Sequence, residues 1–122
     1  MHSRADIQQH KLNYQQQLAN QLVTAIIILD EKLTIQYANP AAEALFVRSF
    51  KKLYNLSFDD VIQNSAIDAI RLQQVIVSGK EFSDGDVTVH LGDLYKFTAE
   101  ITASSVEFNQ KPHVLLELRQ ID

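Results

Sequence analysis

From Val87 onward apolar and polar residues alternate. Val87, Val89 and Leu91, then Tyr95, Phe97, Ala99, Ile101 and Ala103, are interleaved with Thr88, His90, Lys96, Thr98, Glu100 and Thr102. A period of two puts one set of side chains on one face of a strand and the other set on the opposite face. Gly92-Asp93 between the two runs predicts a two-residue hairpin turn, which makes the strands antiparallel. A hairpin with one dry face cannot stand alone, so the rest of the chain must supply further strands and a covering layer.

The segment before this hairpin has the means to do both. Residues 24–30 (Thr-Ala-Ile-Ile-Ile-Leu-Asp) are β-branched, short and apolar on both faces, which suits a central strand. A turn at Asp30, Glu31 and Lys32 leads into a second strand over residues 34–38, antiparallel because the connection is so short. Asn39-Pro40 then predicts a helix start. Asparagine caps the free amides of a first turn, and proline is tolerated at the first helical position. Ala41-Ala42-Glu43-Ala44-Leu45 continues as a strong helix former. Ser57-Phe58-Asp59-Asp60 and Ser65-Ala66-Ile67-Asp68 each carry the spacing of a capped helix start. The second opens a longer helix, residues 65–78, through Ile70, Leu72 and Ile76 to a stop at Gly79. A turn from Asn109 to Pro112 and a last strand from Val114 to Arg119 complete the series. The expected class is α+β: one five-stranded antiparallel sheet, three helical pieces on one face of it, and an N-terminal amphipathic helix.

That N-terminal helix spans about Asp6 to Leu22. Six glutamines crowd it, no Gly or Pro breaks it, and Leu12, Leu18, Ala19 and Leu22 recur at helical spacing. So thin a stripe buries little within one chain. The domain division is therefore residues 1–22, the helix, and residues 23–122, the globular module.

Composition removes several function classes. The 122 residues include no cysteine, which excludes disulfides, thiolate metal sites and cysteine nucleophiles and suits a reducing compartment. The longest apolar run, residues 22–29, is far too short to span a bilayer, and without a basic n-region followed by an apolar h-region secretion is not expected. A net charge of −4, from 11 basic and 15 acidic residues, argues against nucleic-acid binding. A cytoplasmic chain without membrane or nucleic-acid partners is expected.

The stretch Ile28-Leu-Asp30 and onward through Tyr37-Ala38-Asn39-Pro40-Ala41-Ala42-Glu43 to Phe46 resembles the opening of a PAS domain, and the order of elements over residues 24–120 agrees. Many PAS domains place a glycine after the first helix, where this chain has Val47-Arg48-Ser49-Phe50. Within that superfamily the chain is similar to the N-terminal domain of nitrogen-regulation sensor histidine kinases of the NtrB type. The similarity lies in Leu18 to Val23, in Phe82 to Val89 (Phe-Ser-Asp-Gly-Asp-Val-Thr-Val), and in Leu115-Leu116-Glu117. The resemblance implies a sensory and dimerisation domain of a two-component histidine kinase in nitrogen regulation. It also implies a parent enzyme that uses ATP, hands a phosphoryl group to a response regulator and is controlled by a PII-type signalling protein. None of the four histidines (His2, His10, His90, His113) precedes a glutamate, and three glycines cannot make an ATP lid. This chain is therefore expected to carry no enzyme activity and no cofactor, ATP belonging to a kinase region.

His90 and His113 fall on the polar side of the strand alternation and are expected at the surface rather than as metal or haem ligands. Asp59, Asp60 and Asp68 are explained by helix capping and the helix dipole. The apolar doublets in Ile26 to Leu29 and Val114 to Leu116 put hydrophobic groups on both sheet faces at its centre. The expected cover of the second face is the N-terminal helix, with Leu12, Leu18 and Leu22 as contacts. It acts either across a homodimer, the favoured arrangement, or folded back within one chain. The alternative function is a small-ligand- or cofactor-binding PAS sensor, with Ile70, Phe82, Tyr95 and Phe97 as pocket candidates between the long helix and the sheet.

Overall fold

Where Asn39 meets Pro40 the chain turns from strand to helix, and the rest of the architecture is laid out around that corner. The computed structural model describes residues 24–63, 67–91 and 95–121. The expected N-terminal helix, with Leu12, Leu18 and Leu22, lies outside them, as do Ser65-Ala66 and the Gly92-Asp93 turn. Among the described residues the strands are β1 (Ala25–Leu29), β2 (Ile35–Ala38), β3 (Phe82–His90), β4 (Lys96–Phe108) and β5 (Lys111–Gln120). The helices are α1 (Pro40–Phe46), α2 (Phe50–Leu53), α3 (Phe58–Val61) and α4 (Ala69–Ser78). The strands form one sheet in the order β2-β1-β5-β4-β3, every pairing antiparallel. The first and last strands are thus central neighbours, with Ala25 opposite Leu118 and Leu29 opposite Val114.

Alternation decides the core. Ala25, Ile27 and Leu29 of β1, Val114, Leu116 and Leu118 of β5, and Phe97, Ala99, Ile101 and Ala103 of β4 are buried on one face. The helices lie on that face, α1 against β1 and β2, α2 against β2, and α4 against β4 and β5. Leu53, Phe58, Leu72 and Val75 carry their apolar surface into it. At about 25 cal/mol per Å2 of apolar area removed from water, this layer supplies the main drive for folding.

Four elements differ from the expectation. The helical middle has four pieces: α2 was not anticipated, though Ser49 caps it, accepting from the Lys52 amide at 3.4 Å. The long helix begins at Ala69 rather than Ser65, because the Asp68 carboxylate takes the Arg71 amide at 2.8 Å and so supplies the cap. Ser57 stands at the start of α3 but makes no side-chain cap; its backbone bridges Thr34, and Phe58 N–H donates to Leu33 O at 2.9 Å. The last turn is only Asn109-Gln110, both with positive φ (53° and 65°), so Pro112 belongs to β5. In the register Glu107 opposite Pro112, one pair beyond the turn, no ladder hydrogen bond is asked of the proline nitrogen.

Candidate functional site

The corner at Asn39 is a hydrogen-bonded hub. Its Oδ1 accepts from the Ala42 amide and the Ile26 amide, each at 2.9 Å, and its Nδ2 donates to Thr24 O at 3.0 Å. Pro40 follows as the first helical residue, so the expected cap signature stands where the sequence put it. The cap reaches further than a cap must, because it also fastens the beginning of β1 to α1.

Asp30 makes a second hub at the far end of β1. Its Oδ1 accepts from the Lys32 amide at 3.0 Å and the Thr34 amide at 2.9 Å, while Oδ2 accepts from the Thr34 hydroxyl at 2.7 Å and from Gln36 Nε2 at 3.3 Å. Partial burial pushes the carboxyl up, but the Thr34 hydroxyl and the Thr34 and Lys32 amides outweigh it, and Asp30 titrates below the ordinary aspartate value. The sequence signal was the Asp that ends an apolar strand just before a turn.

The second sheet face carries a mixed strip. Ile28 sits opposite Leu115, and Ser104 lies beyond Leu115 on the same row. Ile26 sits opposite Glu117, with Thr102 beyond. Ile28 is buried, and Ile26 and Leu115 are half-buried. His113 lies on this face too and corrects the surface expectation: it is only 5% exposed. Alternation alone misjudged it, because this end of the face is apolar. Val106 is its register partner, the Phe108 ring stands edge-on at 5.3 Å, and Nδ1 is 2.9 Å from Lys111 O. His90 is exposed, as expected.

The four pocket candidates are not brought together. Ile70 is 67% exposed, since Leu72 and Val75 form the buried stripe of α4 and the helical period puts Ile70 on the opposite side. Phe82 is half-buried under the Arg71 guanidinium, 4.0 Å from its ring centre. Tyr95 is exposed with its ring 6.1 Å from Phe97, and Phe97 is in the core. A groove of about 390 Å3 lies elsewhere, between the end of α4 and the β4–β5 hairpin, lined by Ile76, Ser105, Glu107, Gln110, Lys111 and Pro112 among others. Among the described residues no three His, Asp or Glu side chains gather as metal ligands would.

The topology, with first and last strands paired at the centre and helices inserted between β2 and β3, now meets an independent result. The PAS fold model matches residues 13–121. The chain belongs to the PAS-fold family. This PAS domain is 39% identical over 105 residues to the sensory histidine kinase/phosphatase NtrB of Vibrio alginolyticus, a match covering 86% of the chain and 30% of that relative. The chain thus spans less than a third of that protein's length. It is also similar to the solved PAS domain of nitrogen regulation protein NR(II) from Vibrio parahaemolyticus, at 37% identity and a TM-score of 0.73, over 87% of this chain and 96% of that one. The PAS domain of an HTR-like protein from Haloarcula marismortui shares the fold at 15% identity, with a TM-score of 0.65 over 93% of this chain and 98% of that one. Among the described residues no helix is long and apolar enough to cross a membrane.

Proposed function

We propose that this PAS domain is the cytoplasmic signal-input and dimer-organising module of a two-component histidine kinase in nitrogen regulation. The observation that carries the reading is the 37% identity to the NR(II) PAS domain across 96% of that domain. In this reading the kinase activity and its ATP belong to a region outside this chain. The response regulator and a PII-type signalling protein act on the parent kinase, and nucleic acid and membrane take no part.

The mechanism rests on β1 and β5. Thr24 leads into β1 and Ile121 follows β5, and these two strands are central neighbours in register from Ala25–Leu118 to Leu29–Val114. Asn39 clamps the first of them through Thr24 and Ile26. A contact that favours one setting of β1 therefore biases β5 and the exit at Ile121, by no more than its differential affinity for the two settings. In the proposed homodimer, residues 1–22 with Leu12, Leu18 and Leu22 cover the second face around Ile26, Ile28 and Leu115. The domain takes no cofactor in this reading.

Native mass spectrometry of the chain tests both parts. A dimer without adduct is the expected result, and a Leu18→Glu/Leu22→Glu variant is expected to be monomeric. A monomer carrying a stoichiometric small molecule overturns the reading in favour of a ligand sensor.

A further inference from the structure

Between α1 and the end of α2 lies a surface that neither the core nor the sheet uses. Val47, Arg48, Lys51, Lys52 and Tyr54 are all exposed. This eight-residue segment holds three of the chain's 11 basic residues and no acidic one, in a chain of net charge −4. Arg48, Lys51 and Lys52 pair with no carboxylate among the described residues. The carboxylate nearest in sequence, Glu43, is taken up by the segment's own backbone, its Oε2 accepting the Phe50 amide at 2.6 Å, and pairs with none of the three cations. The segment is firmly held. Leu53 is fully buried, the Phe50 ring lies tilted against Tyr37 at 5.7 Å and edge-on to Tyr54 at 5.8 Å, and Asn55 N–H donates to Ile35 O at 2.8 Å.

Val47 is the telling residue. It ends α1 in the left-handed conformation, φ 55° and ψ 39°, where a β-branched side chain is strained. Leu33 has a similar φ of 62°, but its side chain is 5% exposed and gains core contacts in return. Val47 is 73% exposed and gains none. An outlier whose side chain the fold does not use points to a use outside the fold. An exposed apolar group beside an aromatic, with cations around both, has the make-up of a binding patch.

We propose that Val47, Arg48, Lys51, Lys52 and Tyr54 form a docking surface for an acidic segment of a partner protein, with an apolar side chain of that segment seated on Val47. Charge complementarity selects the class. An extended polyanion such as duplex DNA or an anionic bilayer meets the whole molecule, whose net charge repels it, whereas a short segment meets only the local field within a Debye length. The proposal is independent of the kinase reading and of the dimer.

The test is a fluorescence-anisotropy titration of a labelled peptide of alternating glutamate and leucine with the chain, at low and at physiological salt. Expected are saturable binding that weakens as salt rises and at least a roughly tenfold loss in an Arg48→Glu/Lys51→Glu/Lys52→Glu variant. A Lys80→Glu/Lys96→Glu variant is expected to bind unchanged. Val47→Gly separates binding from folding, because it is expected to weaken the peptide complex severalfold while raising the melting temperature. Circular dichroism checks that each variant is folded, and single Lys51→Glu serves if the triple variant is not. No saturable binding, equal binding by the charge-reversed variants, or tighter binding of anionic vesicles or duplex DNA than of the peptide overturns the proposal.

Discussion

Asn39 and Ile26 are 13 positions apart and joined in both directions, the Ile26 amide donating to Asn39 Oδ1 at 2.9 Å and the Asn39 amide to Ile26 O at 3.1 Å. The first bond needs the side chain; the second is a strand-end backbone bond. Asn39 is buried, so truncation to alanine leaves the Ile26 and Ala42 amides without their acceptor and Thr24 O without its donor. Asn39→Ala is expected to cost about 2–4 kcal/mol, combining a lost cap with buried unpaired groups. Urea unfolding of the two proteins measures it, and a loss below about 1 kcal/mol would show that the corner holds without the side chain.

Val47 makes the opposite kind of prediction. Its left-handed backbone favours glycine and its exposed side chain contributes no packing. Val47→Gly is therefore expected to stabilise the domain by about 1 kcal/mol, the relieved strain exceeding the extra freedom glycine gives the unfolded chain. Thermal unfolding by calorimetry reads this as a rise of several degrees in Tm, roughly 4–6 °C. An unchanged or lower Tm counts against strain at this position.

For Asp30 the expected effect depends on pH. Its folded pKa lies below the unfolded one, because the charged carboxylate accepts from Thr34 and Lys32. A depressed carboxyl contributes stability that is present above the unfolded value, about 3.9, and lost as pH falls through the folded one. Asp30→Asn is thus expected to be less stable than the native chain at neutral pH, with the gap narrowing below about pH 4. Urea midpoints of both proteins across an acid series check the sign. A gap that stays constant with pH shows that the hydrogen bonds of Asp30 do not depend on its charge.

Much of this was readable in the residues, for identifiable reasons. The Val87–Ala103 alternation and the doubly apolar strands of residues 25–29 and 114–116 report burial directly, so a five-stranded sheet could be inferred, while the central β1–β5 pairing came from the structure. Asn39-Pro40 could be read because a cap is a local event. What could not be read depends on distant partners. The alternation as read ends at Ala103, yet Ser104 to Phe108 are strand because Lys111 to Leu115 pair with them across a two-residue turn. His113 follows polar alternation and is buried because Phe108 and Val106 share its face. Ile70 looks like a core residue until Leu72 and Val75 are seen to face the sheet, because at about 100° per residue it lies about 200° round the helix from Leu72.

Leu115 and Leu116 test the two faces of the sheet against each other. Leu116 is fully buried on the helix-covered face, opposite Ile27 and Ala103, whereas Leu115 is half-buried on the other face, opposite Ile28 and Ser104. Leu116→Ala removes a packed side chain and leaves a cavity, at an expected cost of about 3 kcal/mol in folding. Leu115→Ala removes surface that is only partly dry in one chain, so its folding cost is expected near 1 kcal/mol. Assembly is expected to rank them the other way. In the proposed dimer the second face is the covered one, so Leu115→Ala raises the dimer dissociation constant about tenfold or more, while Leu116→Ala, measured where it remains folded, changes it little. Sedimentation equilibrium beside urea unfolding gives both quantities for each variant. If Leu115→Ala leaves assembly untouched, the second face is not what holds two chains together.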